Sequence, residues 1–206
     1  SDEVMSGFGR TGEWFGVNHW GIEPDIITMG KGITSGYVPL GGALVSRTLA
    51  DHWQDRRLPM GLTNSAYPIG VAAGAAAIEV YRDEGLVENA RTMGVILKEG
   101  LEEIMEKHPS VGDVRSIGLF STIELVKDRE TKEPLAPLPG MPSTPEDAQV
   151  APQLTAALQQ RGMHCFVQWN HLFPIPPLCI SESELRDGLQ ILDEALDIAD
   201  ALLPGG

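Results

Sequence analysis

Apolar residues recur every three or four positions over residues 86–107. There Leu86, Ala90, Met93, Leu97, Leu101, Ile104 and Met105 define one stripe of a long amphipathic helix. His108 followed by Pro109 ends it. A second stripe, over residues 182–203, predicts a closing helix with Ser181 as N-cap and Glu184 as its capping-box partner. Residues 149–161 predict a third helix, with Pro152 tolerated in its first turn. Alternation over residues 111–117 and 119–126 predicts paired strands around Gly118. Shorter runs at 163–168 and 172–175 predict two more, joined by Trp169, Asn170 and His171 and interrupted by Pro176 and Pro177. The proline-rich, charged stretch 128–147 reads as a surface excursion. Helices on one side of a small antiparallel sheet make residues 86–206 an α+β unit.

The first eighty-five residues have a different texture. Residues 1–5 read as the end of a strand, and Ile26, Ile27, Thr28 and Met29 as a short buried strand. Leu44 and Val45 read as another strand, and residues 48–54 as a turn or two of helix. A helix opens at Pro68, and its run of Ala and Gly allows close packing against neighbouring backbone. Residues 1–85 and 86–206 are therefore expected to be separate domains, with the helix at 86–107 linking them.

Bulk properties narrow the partners. Against 15 Lys and Arg stand 29 Asp and Glu, a formal charge of −14. Nucleic acid and anionic membrane both select for basic patches, so neither is expected. The most apolar stretch, residues 69–78, is too short to span a bilayer. Two cysteines, Cys165 and Cys179, make no disulfide framework and point to a reducing compartment, most simply the cytoplasm. The chain opens Ser-Asp-Glu-Val-Met, which does not read as a signal peptide.

The candidate chemistry centres on Lys31. It lies between Gly30 and Gly32, after the run 26–29 and before an irregular stretch containing Gly36, Pro39, Gly41 and Gly42. A lysine at the end of a buried strand must reach water, pair, or give up its proton. One that gives up its proton is the nucleophile that Schiff-base chemistry needs. Residues 7–12 spell G-x-G-x-x-G, but the glycines and proline that follow allow no helix to open there, so a dinucleotide site is not expected. Gly30 and Lys31 are not a P-loop either, because Asp25 and Gly32 occupy positions that need Gly and Ser or Thr. His164, Cys165, His171 and Cys179 match no zinc spacing, and no metal is expected.

Three blocks carry a resemblance. They are Asp-Glu-Val-Met-Ser-Gly-Phe-Gly-Arg-Thr-Gly from Asp2, Pro-Asp-Ile-Ile-Thr-Met-Gly-Lys-Gly-Ile-Thr-Ser-Gly-Tyr-Val-Pro-Leu-Gly-Gly from Pro24, and Gly-Leu-Thr-Asn-Ser-Ala-Tyr-Pro from Gly61. With the later Pro176, Pro177 and Leu178, they resemble the class III (omega-type) pyridoxal-phosphate aminotransferases, in the right order over nearly the whole chain. The resemblance implies an α/β fold: part of the fold type I large domain over residues 1–85, followed by the small C-terminal α+β domain. It implies that Lys31 forms an aldimine with pyridoxal 5'-phosphate and later shuttles a proton. The Asp2 carboxylate would pair with the pyridine nitrogen, keeping the ring an electron sink. Val4 would pack on the ring face, and Thr63 would bind the cofactor phosphate of the other subunit in a homodimer with shared sites. The implied reaction moves an amino group from an amine or amino acid to an oxo acid. An aminomutase, racemase or decarboxylase on the same scaffold, or a non-catalytic fragment, is the alternative.

Several positions depart from the family pattern. Met5 stands where a Gln often touches the ring hydroxyl, and Ala66 and Tyr67 replace Gly and His before Pro68. No arginine precedes Pro176 on the strand that often grips a substrate carboxylate. Gln168 is a poor substitute, and Arg161 falls at a helix end. Arg10, in Gly-Arg-Thr-Gly, reads as structural. Family members are about twice this length by domain count, so the chain is expected to represent the C-terminal half and to need the other half for productive cofactor binding.

Overall fold

The computed structural model describes residues 1–145 and 147–203. It divides into two compact units, Ser1–Arg91 and Thr92–Gly206. In the first, β1 (Ile26–Met29) pairs antiparallel with β2 (Gly42–Val45), with Ile26 opposite Val45 and Met29 opposite Gly42. On the other side of β1 a single parallel bridge joins Asp2 to Thr28. Glu3 N–H donates to Thr28 O at 2.8 Å and Thr28 N–H to Ser1 O at 2.9 Å. The predicted strand at 1–5 is thus reduced to one bridge, because the chain turns away at residue 4.

β1 itself is not buried as its apolar run implies: Ile26 is 45% exposed and only Met29 is enclosed. A short apolar run predicts an extended chain, but not what lies against its faces. After β1 comes a single 3₁₀ turn, Lys31–Thr34. The helix α1 (Arg47–His52) follows β2, capped by the Ser46 hydroxyl, and then α2 (Pro68–Asp83), with Pro68 in its first turn.

The helix α3 (Leu86–Lys107) contains the boundary between the units. In the second unit, β3 (Val111–Ile117), β4 (Phe120–Leu125), β5 (Phe166–Gln168) and β6 (His171–Phe173) form one antiparallel sheet in the order β3-β4-β6-β5. Gly118, at φ +55°, makes the tight turn between β3 and β4. The helices α4 (Val150–Gln160) and α5 (Glu182–Asp200) pack on each other, and α5 opens with the predicted capping box between Ser181 and Glu184. Leu101, Ile123, Leu154, Leu158, Leu172 and Leu196 are fully buried. The stretch 128–147 is not wholly a surface excursion. Leu135 and Ala136 are buried, held by Leu135 N–H on Leu125 O (3.0 Å) and a bridge between Val126 and Pro134. Glu146, within that stretch, lies outside the described residues, as does the end of the chain from residue 204.

Candidate active site

The bridge from Asp2 to Thr28 sets the geometry. Parallel pairing carries Asp2, Glu3 and Val4 alongside the end of β1, with Asp2 opposite Thr28 and Val4 beside Gly30, the residue before Lys31. One carboxylate oxygen of Asp2, Oδ1, accepts Val4 N–H at 3.0 Å. Its other oxygen makes no hydrogen bond among the described residues. Val4 stands over Gly30: a Cβ there would lie 3.6 Å from Val4 Cγ1.

Lys31 is exposed: of the three outcomes open to a lysine at this strand end, it reaches water in this chain. β1 is itself half open. What is unusual is the backbone. Lys31 adopts φ +40° and Ser35, closing the turn, φ +51°. For non-glycine residues such conformations cost about 1–3 kcal/mol each and persist only where the surroundings hold them. Here the surroundings are visible. Ile33 N–H donates to Gly30 O at 3.0 Å and Ser35 N–H to Gly32 O at 3.2 Å. Buried Thr34 donates its hydroxyl to Val38 O at 2.6 Å. Gly74 of α2 comes so close that a Cβ would sit 3.3 Å from Ile33 O.

Two residues that the sequence reading passed over complete the frame. Glu3 is 1% exposed, and its carboxylate accepts Gly16 N–H and Val17 N–H, each at 2.9 Å, and the Ser6 hydroxyl. Burial alone raises its pKa, but the hydrogen bonds from Ser6, Val17 and Gly16 outweigh burial and hold it below the ordinary glutamate value. Glu3 therefore ties the loop after residue 6 back to the strand end that carries Asp2. Tyr81, near the end of α2, is buried and donates its hydroxyl to Gly32 O at 2.7 Å. A signal for it was available: Gly70, Gly74 and Tyr81 fall at i, i+4 and i+11, on one helix face, and all three are buried.

Arg10 is mostly buried, and burial pushes its guanidinium below the usual arginine value, partly offset by Tyr81. Met5 is 47% exposed. Thr63 lies elsewhere in the same unit, on the loop before α2. It lines an open cleft of about 1340 Å³ with Leu40, Gly42, Met60, Ser65 and Tyr67. Lys31 is not among the described residues lining that cleft. The chain pairs Asp2 with Thr28 and sets Val4 beside Gly30, the residue before Lys31.

In the second unit, β5 presents Phe166 and Gln168 at its surface. Arg161, at the end of α4, is committed to Glu194 (3.3 Å) and Ala157 O (3.2 Å). Cys165 is buried, which pushes its thiol up to about 11.

Comparison with known proteins identifies the family. Residues 1–196 match the family model described as aminotransferase class-III. A taurine–pyruvate aminotransferase of Bilophila wadsworthia is 37% identical over 212 residues, covering 94% of this chain and 43% of that protein. The 4-aminobutyrate aminotransferase of Escherichia coli K12 is 34% identical, over 97% and 44% respectively. Among solved structures, taurine:2-oxoglutarate aminotransferase from Bifidobacterium kashiwanohense, in complex with PLP and glutamate, superposes with a TM-score of 0.91. It shares 40% identity over 98% of this chain and 44% of that one. The chain thus spans less than half the length of these relatives. Over that span, sequence and fold agree: it belongs to the class-III aminotransferases, the pyridoxal-phosphate-dependent family of fold type I.

Proposed function

We propose that this chain carries the lysine-bearing part of a transaminase active site, moving an amino group from an amine or amino acid donor to an oxo-acid acceptor. The observation that carries the reading is the pairing of Asp2 with Thr28, which sets Asp2 and Val4 alongside the strand end that precedes an exposed lysine. These residues fit pyridoxal phosphate: an accessible amine, a carboxylate with one oxygen uncommitted among the described residues, and Val4 over a glycine backbone. When bound, the cofactor supplies an aldehyde that condenses with amines and a protonated ring that accepts electrons. Lys31 Nζ would hold the cofactor and would take up the proton from the donor carbon. Asp2 would pair with the pyridine nitrogen and keep it charged. Val4 covers one ring face and excludes water. Thr63 would donate to the cofactor phosphate of a second copy, which would make the working unit a homodimer. The segments that the relatives carry beyond the matched region supply the remaining contacts. No described helix is long and apolar enough to cross a membrane.

The donor side is open to amines without an α-carboxylate. Among the described residues, β5 carries no guanidinium, and Arg161 is engaged with Glu194. Relatives named for taurine and 4-aminobutyrate act on amines of that kind. A donor screen in which only α-amino acids react would overturn this part of the reading.

The reading as a whole is tested by borohydride reduction of the cofactor-loaded enzyme followed by peptide mass spectrometry. The adduct is expected on Lys31; label on Lys98, Lys107 or Lys127 instead sinks the assignment.

A further inference from the structure

The turn that presents Lys31 is held from outside itself. Tyr81 Oη lies 2.7 Å from Gly32 O and 2.7 Å from Ser35 Oγ. A carbonyl only accepts, so the single phenolic proton goes to Gly32 O, and the Ser35 hydroxyl donates into the phenol oxygen. Ser35 also donates its backbone N–H to the same Gly32 carbonyl, at 3.2 Å. Gly32 O, Tyr81 Oη and Ser35 therefore close a ring across the end of the turn. Within this small loop sit two non-glycine residues in the left-handed region, Lys31 and Ser35.

The hydroxyl has no freedom to drift. The Tyr81 ring stacks on Phe8 (centroids 6.3 Å apart, planes 28°) and meets Trp14 edge-on at 6.3 Å. Phe8 also presses on the turn: a Cβ on Gly32 would lie 2.9 Å from Phe8 Cβ. The turn is held by contact with Phe8 and by the hydrogen bond of the phenol. Removing the phenolic oxygen alone leaves the aromatic packing in place and leaves the Gly32 carbonyl only the longer bond from Ser35 N–H. Lys31 is then released toward the common negative-φ conformations, which aim its side chain elsewhere.

We infer that Tyr81 and Ser35 form a hydrogen-bonded strut that fixes the left-handed conformation from which Lys31 presents its amine. This makes both of them positioning residues, and the inference rests on the reading of Lys31 given above.

The test uses Tyr81→Phe, Ser35→Ala and the double variant in the assembled enzyme, without and with pyridoxal phosphate. In the cofactor-free protein, hydrogen exchange of the peptide covering residues 31–36 is expected to quicken about tenfold in Tyr81→Phe, with peptides of α2 unchanged. With cofactor bound, the midpoint of the pH titration of the visible absorbance of pyridoxal phosphate attached to Lys31 is expected to move by about half a pH unit or more. The catalytic constant should fall with little change in KM for the donor, and the double variant should match Tyr81→Phe, because both changes break one chain of hydrogen bonds. Wild-type exchange at residues 31–36 together with an unmoved titration in Tyr81→Phe overturns the strut. If Tyr81→Phe fails to fold, Ser35→Ala decides by the same two readouts. If borohydride places no cofactor on Lys31 of the unmodified enzyme, the functional reading fails, and the cofactor-free exchange still decides whether the strut exists.

Discussion

The two units of this chain reach order by different means. From Thr92 onward the molecule is a helix-and-sheet core of ordinary kind, in which Leu97, Leu101, Ile123, Leu125, Leu154, Leu172 and Leu196 are at most 1% exposed. The first unit encloses few apolar side chains, chiefly Phe8, Met29, Tyr81 and Ala90. It leaves Tyr37 87%, Leu62 73% and Met60 71% exposed. Polar ties run through it: Glu3 to the loop at 16–17, Thr34 to Val38, Ser46 to Asp25, and Tyr81 to Gly32. It also holds left-handed conformations at Phe8, Lys31, Ser35 and Ala66. The candidate site sits where hydrogen bonds to single peptide groups add to close aromatic contact. Apolar packing is tolerant of small shifts in shape, whereas a hydrogen bond to one carbonyl fixes one peptide plane, and a lysine that must meet a ring needs the latter.

The largest break in this comparison comes from a change that alters chemistry and spares the fold. Asp2→Asn keeps an oxygen for the Val4 N–H contact and loses the charge. In the assembled enzyme, turnover is expected to fall about a thousandfold, on the order of 4 kcal/mol, because charge builds on the ring only in the transition state. Unfolding followed by tryptophan fluorescence should be unchanged. Near-normal turnover would mean that Asp2 does not face the cofactor.

A smaller effect separates the two kinds of order directly. Leu101 is fully enclosed in the second unit, and Leu101→Ala is expected to cost about 2–5 kcal/mol. Leu44, on β2, is 54% exposed within the first unit. Leu44→Ala should cost less than about 0.5 kcal/mol in this chain. Cys165, buried beside β5 with its thiol pushed up to about 11, reports the opening of the second unit through its rate of alkylation. Leu101→Ala should raise that rate steeply and Leu44→Ala should not. Equal effects of the two substitutions in denaturant unfolding would erase the distinction between the units.

What could be read from the sequence follows the same division. The helices α3 and α5, and the cap at Ser181, were legible because burial of one face leaves a period of three to four, and capping needs particular residue types at fixed spacing. Alternation revealed β3 and β4, and the glycines around Lys31 marked a special backbone. A short apolar run could not say whether β1 is covered, since that depends on what packs against it, and β1 proved half open. Composition made residues 128–147 look like surface, yet pairing with Leu125 draws Leu135 inside. The role of Glu3 was illegible for a similar reason. Its partners at residues 16 and 17 become neighbours only after a loop folds back, and no local pattern encodes that return.

Glu3 provides the smallest test, one that sharpens the contrast through pH. Its carboxylate is buried, which by itself raises the pKa, but the donors at Ser6, Val17 and Gly16 bring it below the ordinary glutamate value of 4.5. A carboxyl whose folded pKa lies below its unfolded one stabilises the fold fully above the unfolded value, and that contribution is lost as pH falls through the folded value. The first unit should therefore weaken as pH drops below about 4.5, while alkylation of Cys165 follows a separate course. Glu3→Gln puts an amide NH₂ where one oxygen had accepted a backbone N–H. One of Gly16 N–H and Val17 N–H then faces a donor instead of an acceptor. The cost is expected to be about 1–3 kcal/mol at neutral pH. The more telling outcome is the slope. A glutamine side chain at this position cannot take up a proton, so the variant's unfolding midpoint should vary less with pH across the acid range than that of the unaltered protein. Trp14, Trp20 and Trp53 all lie in the first unit, so fluorescence reports it preferentially. An unchanged acid slope in Glu3→Gln would show that the hydrogen bonds to Glu3 do not hold the loop, and that the strand end carrying Asp2 is kept in place by its backbone pairing with Thr28 alone.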